Sequence, residues 1–195
     1  MDHYIEKVKK FNQKDNYHLD IETGKLLIKY CLTSKQKIFY VIGTGLGEDI
    51  EIVKSFKNVK IIGIEPRITF QEFAEKKYSK FGFKLIKQDL GEFTSSYSHK
   101  IYGIFLFIHS LNHIPHAQIK SLEKIMKKDS YILVINPNPL IEQIKGKTDK
   151  TAFHYLNSKK ISNLLKSEII FDFFYNPKPV RGQRIPIREA ILLKK

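Results

Sequence analysis

Apolar residues recur along this chain in short, nearly continuous runs separated by stretches of helical spacing. The runs rich in Ile, Val, Phe and Tyr are KIFYVIG at 37–43, VKIIGIE at 59–65, FKLIKQD at 83–89, IYGIFLFIH at 101–109 and SYILVIN at 130–136. Between them, residues 46–56, 68–81 and 116–128 set their apolar positions three and four apart. Strand and helix taking turns predicts a parallel sheet with crossover helices, and unbroken apolar strands agree because such strands are buried on both faces. The rhythm changes after a further helix over 157–167. There the extended runs 168–177 and 188–195 follow one another across a loop containing Pro, Gly and Arg, which predicts a terminal hairpin. Two helices, near 2–12 and 20–33, precede the first strand. The expected fold is α/β, a doubly wound and mostly parallel seven-stranded sheet with a C-terminal antiparallel hairpin and helices on both faces. It forms one domain over 1–195, with 1–36 as N-terminal helices placed to act as a substrate lid and 37–195 as the core.

The first strand ends in Gly43, Thr44, Gly45, Leu46 and Gly47. In an open parallel sheet this is the carboxyl edge, where ligands bind, and glycine is kept there for positive φ or close approach. A dinucleotide fingerprint places its third glycine five residues after the first. Here the spacing is G-x-G-x-G and Glu48 follows. An acid at a helix start opposes a pyrophosphate, so the loop favours a ligand with an ammonium group and no phosphates. The second strand ends in Glu65, followed by Pro66, where an acid can accept from both hydroxyls of a ribose. The third ends in Asp89, followed by Leu90; its carboxylate can accept from an exocyclic amine, with Leu90 and Ile68 flanking a purine ring. Taken singly, Glu65 reads as a surface acid and Asp89 as a helix cap. In this order they describe a pocket for an adenosine.

The segments YVIGTGLGE, GIEP, KQDL, YGIFLFIHSLNHIPH and LEKIMKKDSYILVINPN together resemble the class I S-adenosylmethionine-dependent methyltransferases, of Rossmann-like fold and small-molecule type, from about residue 20 to 195. The resemblance implies S-adenosylmethionine as cofactor, held by Gly43, Thr44, Gly45, Gly47, Glu65, Pro66, Asp89, Leu90 and His109. It also implies in-line methyl transfer to an oxygen or nitrogen of a small molecule, with His113 and His109 as catalytic candidates. The chain departs from the family pattern at three places. Val41 replaces an acid two residues before the first glycine, Gly103 an aspartate early in the fourth strand, and Asn112 the first of two histidines. Glu48 or an N-terminal residue would then serve the ammonium. Tyr17, His18 and Tyr40 read as interface aromatics, with a part in a lid as the alternative, and His116 and His154 fit structural roles.

The formal charge of +14 raises RNA as a partner, but only four of the 34 basic residues are arginine and the lysines are spread along the chain. Direct base readout leans on arginine, so most of this charge reads as solvated lysine faces. The exception is the arginine cluster of VRGQR and IPIREA near the C-terminus. The single Cys31 excludes an internal disulfide and points to a reducing compartment. The start MDHYIEKVKK has no apolar leader core, and the run at 101–108 falls far short of a bilayer span, so a cytoplasmic protein without membrane contact is expected. No C-x-x-C, H-E-x-x-H, G-x-S-x-G or G-K-[ST] pattern occurs, which argues against a metal site, that class of hydrolase and an NTPase. An RNA methyltransferase and a non-catalytic binding protein of the same fold remain open alternatives.

Overall fold

A computed structural model of the protein describes residues 17–32, 38–47, 49–140, 152–176 and 188–195. Its strands are β1 (Ile38–Ile42), β2 (Lys60–Ile64), β3 (Phe83–Ile86), β4 (Ile104–Ile108), β5 (Tyr131–Pro137), β6 (Glu168–Tyr175) and β7 (Arg188–Lys194). They form one sheet in the order β3-β2-β1-β4-β5-β7-β6. The first five run parallel, and β7 lies antiparallel to both β5 and β6. The described helices are α1 (Tyr17–Cys31), α2 (Ile50–Val53), α3 (Ile68–Tyr78), α4 (Leu90–Ser95), α5 (His116–Ile125) and α6 (Ser158–Leu165). Strand order reverses between β1 and β4, and that switch point opens the crevice in which such sheets bind ligands.

Side-chain alternation along β4 shows why the strands are apolar throughout. Phe105 and Phe107 pack with Leu90, Phe93 and Leu122 beneath α4 and α5. Ile104, Leu106 and Ile108 pack with Leu27 and Ile28 of α1 on the opposite face. Tyr40 belongs to the first of these cores: it is 4% exposed and stacks on Phe105 at 4.7 Å, so it is no part of a lid. Gly103 also has a packing reason. A Cβ there would stand 2.7 Å from the Ile38 carbonyl oxygen and 2.8 Å from the Tyr40 ring, leaving no room for an aspartate.

Two boundaries differ from the sequence expectation. The helix before β1 spans 17–31, and the third strand stops at Ile86 because Asp89 starts a short helix, α4, that its length hid from periodicity. Asp89 and Glu92 close this helix start reciprocally: Asp89 Oδ1 accepts from the Glu92 N–H at 2.8 Å, and Glu92 Oε2 from the Asp89 N–H at 3.0 Å. The expected helix at 2–12 and the VRGQR loop lie outside the described residues.

Candidate functional site

The glycine loop leaves β1 with φ of 71°, 50° and 79° at Gly43, Gly45 and Gly47. The Gly43 N–H donates to the Ile64 carbonyl at 2.8 Å, and the Gly47 N–H to that of Thr44 at 2.7 Å, so the turn is tied to β2 and to itself. The three glycines have different reasons to be there. A Cβ on Gly43 would meet Ser110 Cβ at 2.8 Å, and one on Gly47 the Tyr78 ring at 2.5 Å. One on Gly45 would meet nothing within 4 Å. Packing explains the outer two, whereas Gly45 presents bare backbone to open space.

Glu65 follows β2 and is 4% exposed. Its Oε2 accepts from the Gly45 N–H at 2.8 Å and its Oε1 from the Arg67 N–H at 3.0 Å, so the acid braces the glycine loop across the strand ends. Pro66 is the exposed corner between Glu65 and Arg67. A carboxylate offers about four lone-pair sites, so two backbone bonds leave capacity for further donors. Burial pushes the Glu65 carboxyl up, against the pull of both N–H groups and the Arg67 charge. Asp49, at the start of α2, is also 4% exposed, and burial together with the Glu65 charge pushes it well above the usual carboxylate range. The sequence reading passed over Asp49 in favour of Glu48, which lies outside the described residues. The only sequence signal for it was a second acid beside a glycine-loop helix.

Asp89 sits at the third strand end, where its Oδ2 also accepts from the Gln118 amide at 3.2 Å. Leu90 is 2% exposed and belongs to the core with Phe93, so its side chain is no wall for a purine ring. Ile68 remains exposed beside Glu65 in sequence.

At the end of β4 the backbone of His109 is left-handed, with φ of 56°. Its N–H is held by the Ile135 carbonyl at 2.7 Å, and its Nε2 lies 2.8 Å from Oδ2 of Asp20, on α1. Asp20 is fully buried. Its Oδ1 accepts from the Tyr175 hydroxyl at 2.5 Å and its Oδ2 from Arg188 Nε at 3.4 Å. Burial alone would raise this carboxyl, but His109, Tyr175 and Arg188 outweigh it and hold the group below its ordinary value. His113 lies four residues on, half-buried in a 3-10 turn whose N–H donates to the Ser110 carbonyl at 3.0 Å. His116 and His154 stack on each other with centroids 4.1 Å apart. Sequence reasoning missed Asp20 as the partner of His109, and Tyr175 and Arg188 as the groups that hold Asp20.

Two hydroxyls at the β1–β4 junction, Thr44 Oγ1 and Ser110 Oγ, are buried without a hydrogen-bond partner. Buried polar atoms are nearly always satisfied, so these two suit a bound water or ligand at the switch point. Among the described residues there is no group of three or more His, Cys, Asp or Glu placed to hold a metal ion. No described helix is long and apolar enough to cross a membrane.

No protein-family model matches the chain, and no curated protein matches it in sequence. Solved structures do match in fold. A S-adenosylmethionine-dependent methyltransferase from Archaeoglobus fulgidus aligns over 100% of both chains, with a TM-score of 0.71 at 21% identity. One from Clostridium acetobutylicum covers 99% of each chain, with a TM-score of 0.69 at 13% identity. Magnesium protoporphyrin IX methyltransferase from Synechocystis, with S-adenosylhomocysteine bound, covers 95% of this chain and 87% of its own, with a TM-score of 0.66 at 15% identity. The seven-stranded sheet with its reversed strand order and terminal antiparallel hairpin superposes on these structures over nearly the whole chain, and the chain has the class I S-adenosylmethionine-dependent methyltransferase fold.

Proposed function

We propose that the protein is a S-adenosylmethionine-dependent methyltransferase acting on an ionisable oxygen or nitrogen of a small molecule. The observation that carries this reading is the Gly45–Glu65 pair: a buried acid with spare lone pairs, bonded at 2.8 Å to a glycine whose side-chain position is open space. In this assignment Glu65 takes the ribose hydroxyls, with Pro66 shaping the turn beside it. Gly43, Thr44, Gly45 and Gly47 supply the loop against the cofactor, and Asp89 the acceptor for the adenine amine. Asp49, buried at the start of α2 beside the Glu65 charge, is the acid assigned to the ammonium in place of the one absent at Val41. The cofactor supplies a sulfonium-activated methyl group; the protein has to align the acceptor behind it and keep water out.

His109 is the group assigned to the acceptor's proton, with His113 as the second candidate. An ionised Asp20 can only accept, so the His109 Nε2 facing it carries a proton. In the neutral ring the basic lone pair is therefore on Nδ1. Proton transfer to Nδ1 creates an imidazolium that Asp20 stabilises through Nε2, while Tyr175 and Arg188 keep Asp20 ionised. The N-terminal helix thereby contributes directly to the acceptor side, as part of the same domain as the sheet. The buried free Cys31 suits a cytoplasmic setting.

The test is transfer of labelled methyl from S-adenosylmethionine into cell extract separated into small-molecule and RNA fractions. Label in the small-molecule fraction, lost in Glu65→Ala, is expected. Label confined to RNA would transfer the assignment to that acceptor, which the charge of +14 favours. No transfer to either fraction would overturn the enzyme reading.

A further inference from the structure

The two edges of the sheet are built differently. β3 has four residues, includes the exposed Lys84 and is followed by Lys87, the short and charged pattern that keeps an edge from pairing. β6 has eight residues, EIIFDFFY, with no lysine in a chain whose 34 basic residues are mostly lysine. Ile169, Phe171, Phe173 and Phe174 are each 37–43% exposed on it. Beside them on α1 stand Leu26, 67% exposed, and Tyr30, 59% exposed, the latter edge-to-face with Phe171 at 4.7 Å.

We infer that β6 is a homodimer interface, in which two copies pair antiparallel about a two-fold axis at Phe173 and continue the sheet from one chain into the other. A bulge between Ile169 and Phe171 interrupts the strand's start, leaving 171–175 as the regular segment. Within it the side chains facing α1 are Phe171, Phe173 and Tyr175, because they pair with Leu192, Ala190 and Arg188 of β7. The two-fold sets Phe171 against Tyr175 and Phe173 against itself, an aromatic row on one face beneath both copies of Tyr30. It sets Asp172 against Phe174 rather than against a second Asp172. The aspartate is in any case engaged by the Ser158 hydroxyl of its own chain.

Charge selects the occupant. A second copy of a chain carrying +14 is repelled over most of its surface, but segment 171–175 has no cation to repel it. The six exposed apolar residues present roughly 500–600 Å² per copy at about 200 Å² each, and the strand backbone extends this towards the ~800 Å² per partner of a stable interface.

Sedimentation of the full chain from micromolar to several hundred micromolar tests this directly. Twice the chain mass is expected for the wild type and the chain mass for Phe173→Lys, with an unchanged far-ultraviolet spectrum. Should Phe173→Lys fail to fold, wild-type hydrogen exchange still decides, because amides 171–175 must gain protection as concentration rises. A wild type that stays monomeric throughout overturns the inference. So does a dimer that survives Phe173→Lys with 171–175 unprotected, and so does binding to anionic phospholipid vesicles without self-association.

Discussion

Replacing Glu189 with glutamine should make the protein less sensitive to pH between 5 and 8.5. Glu189 lies on β7 opposite Asn136 and is fully buried. Its Oε1 accepts from the Ser158 N–H at 3.3 Å, while its Oε2 has no partner. Burial, and secondarily the Asp172 charge, raise its pKa from 4.5 to about 7. A raised folded-state pKa means the folded protein binds this proton more tightly than the unfolded chain does. The group's contribution is therefore complete below the unfolded value near 4.5 and is lost as pH rises through about 7. The shift of some 2.5 units at 1.36 kcal/mol each sets an upper bound of roughly 3 kcal/mol on that loss. Glutamine keeps the acceptor for Ser158 and cannot ionise. Urea unfolding at pH 5 and pH 8.5 should find the two proteins within about 1 kcal/mol at the lower pH and Glu189→Gln more stable by about 2–3 kcal/mol at the higher. A difference between them that does not change with pH would refute the reasoning.

Three further outcomes are expected. Asp20→Ala removes the buried acceptor shared by His109, Tyr175 and Arg188 and should cost about 3–5 kcal/mol in urea unfolding; a loss below about 1 kcal/mol would show that the network is not holding α1 to the sheet. Gly47→Val meets the Tyr78 ring at positive φ and should lower the melting temperature more than Gly45→Val, which pays about 1–2 kcal/mol of backbone strain without a collision. Gly45→Val should nevertheless lose S-adenosylhomocysteine binding by calorimetry, and retained binding would contradict the open face assigned to Gly45. Asp49→Asn should weaken binding of S-adenosylmethionine about tenfold or more; equal affinity would remove Asp49 from the ammonium's surroundings.

Much of the architecture was legible because it rests on periodicity. Buried parallel strands such as 104–108 must be apolar on both faces, and the hairpin announced itself by two extended runs with no helix between them. The loop glycines and Glu65 were legible for the same kind of reason, since they fall at fixed offsets from strand ends. What escaped were contacts between residues far apart in sequence. Asp20 meets His109 across 89 positions and Tyr175 across 155, and no local pattern marks such a pairing. The core positions of Leu90 and Tyr40 were not legible, because a residue at a strand end or beside the site has the same sequence signature whether it faces the ligand or the core. Glu189 did leave a trace: a charge inside the apolar run REAILLKK has to be either at an edge or buried with its proton.

The central claim is that the β1–β2 edge binds the adenosine of S-adenosylmethionine. Calorimetric titration of the wild type, Glu65→Ala and Asp89→Ala with S-adenosylmethionine and S-adenosylhomocysteine tests it most directly. Micromolar binding of both nucleosides to the wild type, weakened at least tenfold in Glu65→Ala and to a lesser degree in Asp89→Ala, is predicted. Absence of binding to the wild type, or binding indifferent to Glu65, would contradict the account.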